Sequence, residues 1–342
     1  MKIAFTICTN SFLSMARTTA ASFLKFNKGY SFFIGLIDHP EDKIGPWYEG
    51  YRIVRVDEIG IEYLDEMAKR YNISELSCAL KSYFCQYILD SEPAVKEILY
   101  LDSDLYVYSS FYEVELLHQQ YDILLTPHIL NPISFDGKQP DEIAYLATGT
   151  YNGGFFSIRT SDNSRRFIAW WRERMRYHCF YKIPQGLFVD QKWLNMVPVF
   201  FEKVHIILHP GYNISYWNLH ERIIEKSGNE YLVNGSFPLV FIHFSSINLK
   251  EGILFYKQQD RFTEDSLPLV KNLFMEYRAM VHKEGYELTS PIVSYYSSVF
   301  NQHTTTVLKK TMKGRLKLWI KKYLPARTRN KLKDKVRNLL DS

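Results

Sequence analysis

The fold of this chain is best predicted from the sequence ILYLDSDL, residues 98–105. Its first four residues are apolar, which is typical of a strand buried on both faces. Asp102 and Asp104 follow that strand directly, with Ser103 between them. Because residues two apart in extended chain point the same way, we expect the two carboxylates to face one side at the end of the strand.

Strand-like and helix-like patterns alternate on both sides of this stretch. Short apolar runs predict strands at residues 2–8, 31–38, 51–59, 122–128, 153–159, 204–210 and 239–244. Apolar residues at helical spacing predict helices at residues 12–26, 61–70, 74–90, 164–178 and 266–284. This alternation indicates an α/β fold with a mostly parallel central sheet and helices on both faces.

The position of the two aspartates predicts a cation site. Ligands of open α/β sheets bind at the carboxyl ends of the strands, and carboxylate oxygens suit a hard divalent cation. Such a cation would neutralise a diphosphate and stabilise it as a leaving group. The tripeptide alone is expected about once by chance in a chain of this length, and a solvated acidic turn is the alternative. The preceding apolar strand favours the cation site.

At this point the sequence resembles a known family. ILYLDSDLYVYSS is similar to the Asp-x-Asp strand of GT-A fold (Rossmann-like) glycosyltransferases, close to the retaining glycosyltransferase family 8. Further segments resemble that family in the right order, over roughly residues 3–250. They are AFTICTNSFL for the first strand and nucleotide loop, ELSCALKSYFCQYIL for the helix before the Asp-x-Asp strand, YNGGFFSIR for the Asn-x-Gly strand, FVDQKWLN for the Asp-Gln segment and FIHFSS for the late His strand.

The resemblance implies a metal site with three protein ligands. Asp102 and Asp104 would bind the cation and, through it, the diphosphate, and His243 would be the third ligand. An imidazole in an otherwise oxygen-rich site favours Mn²⁺ over Mg²⁺. Taken alone, His243 would be interpreted as a buried histidine bonded to the backbone, but the presence of the Asp-x-Asp strand favours the ligand.

The resemblance also implies contacts with a nucleotide-sugar, expected to be a UDP-sugar. The residues assigned to it are Thr9 and Asn10 at the base or ribose, Asp38 at the uracil N–H, Lys81 at a phosphate or the donor sugar, Ser103, and Asn152 with Gly153 at sugar hydroxyls. Structural alternatives stay open for them. Thr9, Asn10 and Asp38 fit turn positions, Lys81 fits a solvated helix face, and the Asn-Gly pair fits a structural turn.

Asp190 and Gln191 are the predicted catalytic pair. In retaining relatives this segment lies beneath the anomeric carbon, where an amide or carbonyl can stabilise an oxocarbenium-like transition state. In an inverting enzyme Asp190 would instead deprotonate the acceptor hydroxyl. The resemblance favours retention, and an ordinary N-cap role for Asp190 remains the structural alternative.

The charge of the chain is concentrated at its end. Residues 309–342 contain 13 lysines and arginines against two aspartates, whereas the rest has 29 against 35 acidic residues. Leu316, Trp319, Ile320 and Tyr323 share one helical face among these cations, which is typical of a helix on an anionic membrane surface. The body has no basic, aromatic stripe for nucleic acid. Packing on the body or on a second subunit is the alternative for the tail.

These features predict three segments: a GT-A glycosyltransferase domain at residues 1–289, a Ser/Thr-rich linker at 290–307 and a basic amphipathic helical tail at 308–342. The four cysteines lack metal-ligand spacing, the first residues run directly into a strand, and no apolar run approaches about 18 residues. We therefore expect a cytoplasmic protein, peripheral on the inner face of the cell membrane.

The predicted activity is that of a divalent-metal-dependent hexosyltransferase. It would move a sugar to a glycan or lipid-linked glycan acceptor, in lipopolysaccharide or capsule biosynthesis. A metal-dependent nucleotidyltransferase is one alternative, but the segment CTNSFLSMART lacks the Gly-rich basic loop that would favour it. A non-catalytic, membrane-associated glycan-binding protein is the other, and the intact Asp102, Asp104, Asp190 and His243 argue against it.

Overall fold

The computed structural model describes residues 1–255, 258–310 and 322. The strands are β1 (Lys2–Cys8), β2 (Tyr30–Leu36), β3 (Arg52–Arg55), β4 (Glu97–Leu101), β5 (Leu105–Val107), β6 (Ile123–Pro127), β7 (Tyr151–Arg159), β8 (Tyr181–Lys182), β9 (Leu187–Phe188), β10 (Val204–Ile206), β11 (Ile224–Ser227), β12 (Glu230–Val233), β13 (Phe237–Pro238) and β14 (Phe241–His243).

The helices are interspersed among these strands. They are α1 (Leu13–Phe26), α2 (Leu64–Arg70), α3 (Ile73–Ser91), α4 (Tyr112–Leu117), α5 (Glu142–Thr148), α6 (Asp162–His178), α7 (Val197–Phe200), α8 (Pro268–Lys283), α9 (Tyr286–Thr289) and α10 (Tyr295–Lys310). Short 3₁₀ helices lie at Asn10–Phe12, Asp42–Tyr48, Ile183–Gln185, Gln191–Met196 and Glu264–Ser266.

The central sheet of the described residues has the strand order β10-β6-β7-β4-β1-β2-β3. Its β1–β2, β1–β4, β2–β3 and β6–β10 pairs are parallel. Only β7 runs against its neighbours β4 and β6 in this sheet. The predicted α/β fold class with a mostly parallel sheet is therefore confirmed.

Both faces of the sheet are covered by helices. Successive side chains of its inner strands point to opposite faces, so each inner strand contributes to two cores. On one face, Phe5 and Tyr100 join a core that includes Trp171 of α6. On the other, Ala4 and Leu99 join a core that includes Phe23 of α1 and residues from later strands. Each fully buried large apolar side chain contributes about 2 kcal/mol to such a core.

Helix α3 carries a basic residue toward the end of β4, and its first turn is fixed by a capping box. The Asn72 side chain accepts from the Glu75 N–H at 3.0 Å, and the Glu75 carboxylate accepts from the Asn72 N–H at 3.1 Å. The helix consequently begins at Ile73, one residue before the predicted start at residue 74. A capping box satisfies two backbone donors that a helix start otherwise leaves unpaired.

The prediction of a linker at residues 290–307 needs correction, because α10 occupies most of that segment. Its Tyr296 is buried and belongs to the same core as helices α2 and α3, with Val299 packed beside it. The backbone N–H of Tyr295 donates to the Asp38 carboxylate at 2.8 Å. The serines and threonines therefore occur in a docked helix, although the predicted domain boundary itself stays a prediction.

Most of the predicted basic tail, including Leu316, Trp319, Ile320 and Tyr323, lies outside the described residues. In the part of the chain that is described, no helix has both the length and the apolar character needed to cross a bilayer.

Candidate functional site

The candidate site forms where β4 ends and the chain turns into β5. Asp102 follows β4, and its N–H donates to the carbonyl of Gly154 in β7 at 2.8 Å. Asp104 precedes β5, which pairs antiparallel with β14 so that His243 lies opposite Leu105. The Phe244 N–H donates to the Asp104 carbonyl at 2.9 Å. Strand pairing therefore brings His243 to the two aspartates across 139 residues or more of sequence.

The three predicted metal ligands form one cluster. His243 Nε2 lies 3.0 Å from Asp104 Oδ1 and 3.9 Å from Asp102 Oδ2. One ligand atom from each residue lies within 4.8 Å of the others. The His243 ring is almost fully buried, and its Nδ1 lies 3.4 Å from Asn213 Oδ1, which directs Nε2 toward the carboxylates.

The side chains of the cluster can lie against the backbone of β7 because residue 154 is a glycine. A Cβ at Gly154 would lie 2.5 Å from Cε1 of His243 and 2.9 Å from Oδ2 of Asp102. Two carboxylates and an imidazole that converge beside this glycine are a donor set that suits a divalent ion such as Mn²⁺. The residues present therefore fit a cation held by Asp102, Asp104 and His243.

The charges of His243 and Asp104 depend on each other. Burial opposes a charged imidazole, but the Asp104 carboxylate raises the pKa of His243 above its usual value. Burial would likewise raise the pKa of Asp104, yet His243 lowers that pKa below its usual value. A cation needs the neutral imidazole, so its binding must release a proton from His243 wherever that residue is protonated.

Lys81 lies in a buried ion-pair network, which excludes the solvated-lysine alternative. Its Nζ lies 3.1 Å from Asp102 Oδ1 and 3.1 Å from Asp190 Oδ2, and donates to the Gly153 carbonyl at 2.9 Å. Burial would lower the pKa of Lys81, but the two carboxylates raise it well above its usual value. The lysine therefore stays charged and joins α3, β4, β7 and the Asp-Gln segment.

Asp190 stands at the start of a 3₁₀ helix, but its side chain does not cap that helix. The residue is 1% exposed, and burial raises its pKa against the opposing effect of Lys81. A Cβ at Gly153 would lie 2.9 Å from Asp190 Oδ2, so the carboxylate fits against bare backbone. The N-cap interpretation of Asp190 is therefore excluded.

Gln191 holds the start of β7 through its side-chain amide. Its Oε1 accepts from the Gly153 N–H at 3.1 Å and from Asn152 Nδ2 at 3.3 Å, and its Nε2 donates to the Thr148 carbonyl at 3.2 Å. The Asn152 Nδ2 also lies 3.1 Å from Nε2 of His128, whose pKa burial lowers to about 4. Gln191 and Asn152 thus form part of one polar network.

Two cavities meet at Lys81, Asp102 and Asp104. The first, about 390 Å³, extends past Thr9 and Ser103 toward the segment before α10. The second, about 680 Å³, extends along the cluster ligand His243 and the remaining predicted site residues Asn152, Gly153, Asp190 and Gln191. The sequence-predicted residues other than Asn10 and Asp38 therefore converge on this pair of cavities.

Asn10 and Asp38 lie behind the wall of the first cavity. The Asn10 side chain donates to the His39 carbonyl at 2.8 Å and accepts from the Tyr48 hydroxyl at 2.7 Å. The Asp38 carboxylate accepts from the N–H groups of Asn10 and Tyr295. These contacts agree with the turn alternative, and the predicted contacts of both side chains with a base have no support from their positions.

Several residues of the cavity walls carried no sequence signal of their own. They are Cys78 and Tyr181 at the junction, His128 and Trp217 in the second cavity, and Ser294 and Ser297 in the first. Composition alone predicts a linker at Ser294 and Ser297. The apolar spacing of Tyr296, Val299 and Phe300 was the signal that could have placed them on a docked helix.

The topology and the cluster together define the class of this protein: an α/β fold with a candidate divalent-cation site at the carboxyl edge of its sheet. No family model matches the chain. The chain is 31% identical over 225 residues to the uncharacterised protein YfnF of Bacillus subtilis (strain 168), a match that covers 66% of this chain and 73% of YfnF. This protein therefore belongs to the same family as YfnF.

A second relative and several solved structures are also similar. The uncharacterised protein YfnD of the same organism is 24% identical over 242 residues, or 68% of this chain and 72% of YfnD. The galactosyltransferase LgtC, in complex with donor and acceptor sugar analogues, has a TM-score of 0.47 at 14% identity, over 82% of this chain and 95% of LgtC. The glycosyltransferase GlyE of Streptococcus pneumoniae TIGR4 has a TM-score of 0.45 at 14% identity, over 90% of this chain and 64% of GlyE. The fold class rests on the sheet topology and not on these scores.

Substitution of Gly154 by alanine tests the geometry of the cluster. The added methyl group would overlap His243 and Asp102, so we expect the affinity for Mn²⁺ to fall about 10- to 100-fold. Gly29→Ala is the matched control, because a Cβ there has no atom within 4 Å. Isothermal titration calorimetry with Mn²⁺ measures both, and equal affinities for the two variants would contradict the assigned cation position.

The raised pKa of His243 predicts a pH dependence of metal binding. Below that pKa the protonated imidazole competes with the cation, so the affinity for Mn²⁺ should fall about tenfold per pH unit as pH decreases. Titrations of Mn²⁺ between about pH 6 and pH 8 should lose this slope in His243→Gln. The exposed His303→Gln is the control and should keep the slope, and an unchanged slope in the His243 variant would refute the assignment.

Proposed function

We propose that this protein is a divalent-cation-dependent hexosyltransferase that moves a sugar from a UDP-sugar to a glycan or lipid-linked glycan acceptor. One observation carries the proposal: the Asp102–Asp104–His243 cluster lies at the junction of two cavities. A nucleoside diphosphate fits the first cavity, with its phosphates at the cluster. The donor sugar and the acceptor then occupy the second, larger cavity, which Asn152 and Gln191 line.

The residues of the junction have separate roles in this proposal. A bound cation would neutralise the charge that develops on the diphosphate leaving group. Lys81 offsets the charges of Asp102 and Asp190 and keeps both carboxylates in place. Gln191 orients Asn152 and the backbone of Gly153, so that their polar groups face the sugar.

The surroundings of Asp190 support transfer with retention of anomeric configuration. A general base must be free to take a proton from the acceptor, whereas the Asp190 carboxylate is buried and paired with Lys81 at 3.1 Å. Asp190 and Gln191 then stabilise positive charge near the anomeric carbon electrostatically. Proton NMR of the first product formed distinguishes the outcomes, since an inverted anomeric signal would make Asp190 the base instead.

Release of UDP from UDP-sugars tests the activity directly. With Mn²⁺ present, Asp104→Asn should lower the rate of UDP release about 100-fold, because about 3 kcal/mol of transition-state stabilisation would be lost. Asp162→Asn is the control, since Asp162 is an exposed residue at the start of α6. EDTA should abolish release in the wild type. Release of pyrophosphate instead of UDP would favour a nucleotidyltransferase, and binding of UDP-sugars without turnover would favour a non-catalytic role.

The charge of residues 309–342 supports a second part of the proposal, which is attachment to an anionic membrane surface on the cytoplasmic side. A surface-glycan acceptor of the lipopolysaccharide or capsule type would be anchored in the same surface. Basic residues near anionic lipid contribute about 1 kcal/mol each, so this stretch is sufficient for reversible attachment.

Co-sedimentation with vesicles that contain phosphatidylglycerol tests the attachment in the full chain. We expect the triple variant Lys313→Gln, Lys317→Gln and Lys321→Gln to lose about 3 kcal/mol of binding free energy, or about 100-fold in partition. The matched control is a triple variant that lowers the net charge by the same amount at exposed lysines of the body, namely Lys28→Gln, Lys43→Gln and Lys69→Gln. Equal partition of the two triple variants would remove the membrane from the proposal.

A further inference from the structure

The segment that leads into α10 forms one wall of the first cavity. Ile292, Val293, Ser294 and Ser297 lie along this wall, and Thr9 belongs to the same lining at the end of β1. Residues 292–297 thus line the same cavity as Asp102 and Asp104, although they lie almost 200 residues later in the sequence.

The hydroxyl of Ser294 is buried in this wall beside the Asp38 carboxylate. The residue is only 6% exposed, and its Oγ makes no hydrogen bond with the described residues. It lies close enough to Asp38 to help lower the pKa of that carboxyl, against the effect of burial. A hydroxyl can donate to one group and accept from another, so a Ser294 hydroxyl turned toward Asp38 keeps lone pairs for a donor of a bound ligand.

Contacts on both sides hold this wall in position. The Asp38 carboxylate accepts from the Tyr295 N–H at 2.8 Å, and the ring centroid of His39 lies 4.4 Å from that of Tyr295. Before the wall, the Thr289 hydroxyl lies 3.2 Å from the Ser14 hydroxyl of α1. The wall is therefore anchored to the ends of β2 and α1, and Ser294 keeps a fixed distance from the cluster end of the cavity.

Charge decides which part of a nucleotide this wall can meet. Asp38 lies directly behind Ser294 and takes the first N–H of α10, so a carboxylate occupies the helix end that could otherwise attract an anion. The Asp38 carboxylate would repel a phosphate at the α10 end of the cavity. The candidate cation site, which would attract a phosphate, lies at the opposite end. Neutral hydrogen-bonding groups are compatible with the two serine hydroxyls, and in a nucleoside diphosphate these belong to the base and the ribose.

We propose that Ser294 and Ser297 hydrogen-bond the nucleoside of the donor, so that the start of α10 completes the nucleotide site. The inference rests on the proposed function, because it requires a nucleoside diphosphate in the first cavity. It assigns the specificity for the nucleoside to the start of α10, and the specificity for the diphosphate to the cluster. The two contributions are therefore separable by experiment.

Calorimetry of the full chain with two probes separates them: UDP with Mn²⁺, and inorganic pyrophosphate with Mn²⁺. The double variant Ser294→Ala and Ser297→Ala should bind UDP about tenfold more weakly, because up to two hydrogen bonds are lost. Its affinity for pyrophosphate should equal that of the wild type. Ser298→Ala is the matched control, since the Ser298 hydroxyl of α10 already donates to the Ser294 carbonyl at 3.4 Å.

The remaining outcomes overturn one proposal or the other. Unchanged UDP affinity in the double variant would refute the role of the two serines, and so would an equal loss for both probes, which would indicate a general distortion. A comparable loss in Ser298→Ala would refute it as well. If the wild type bound neither probe, the proposed function would fail, and this assignment would fail with it.

Discussion

The site depends on the buried ammonium group of Lys81. Burying a carboxylate in a protein interior costs several kcal/mol unless an opposite charge and hydrogen bonds compensate. Asp190 is almost fully enclosed, and the carboxylates of Asp190 and Asp102 each lie 3.1 Å from the Lys81 Nζ. Without the ammonium group of Lys81, the charges of these two carboxylates would have no opposite charge from this lysine to compensate them. The same Nζ donates to the Gly153 carbonyl, so it also sets the distance between α3 and β7.

Around this charge, backbone pairing supplies the accuracy that side chains alone would lack. The β5–β14 ladder fixes His243 opposite Leu105, and the Asp102 N–H is bonded to the Gly154 carbonyl. Two glycines in succession let the Asp190 carboxylate and the His243 ring approach the β7 backbone from different sides. Rigid strands and missing Cβ atoms therefore create a narrow, polar junction between two wider cavities.

The sequence predicted the elements whose signals are local. The apolar run before Asp102 predicted a buried strand, and burial of Ile98, Leu99 and Leu101 agrees with it. His243 was found only because its segment follows the others in a recognised order, and no local pattern distinguishes it from a core histidine. The ion pairs of Lys81 join residues up to 109 positions apart, and periodicity carries no information about such contacts.

Composition misled where a polar sequence forms a docked helix. The stretch around Tyr296 is rich in serine and threonine, but a few apolar residues at helical spacing are enough to hold α10 against α2 and α3. Asp38 was assigned to a ligand because it ends a strand, yet backbone N–H groups from two other segments occupy its oxygens. A single sequence does not show whether a polar side chain at the end of a strand hydrogen-bonds the protein backbone or a ligand.

The reversed direction of β7 has a consequence for how this fold can diversify. Because β7 runs against β6, with Pro127 paired to Tyr151, the connection between them leaves and re-enters the sheet at one edge. That connection includes α5 and contributes Gln139, Tyr145 and Thr148 to the larger cavity. Insertions or deletions between the two strands would reshape the larger cavity while leaving every strand of the sheet in register. Changes in loop length can thus alter the larger cavity at little cost to the stability of the core.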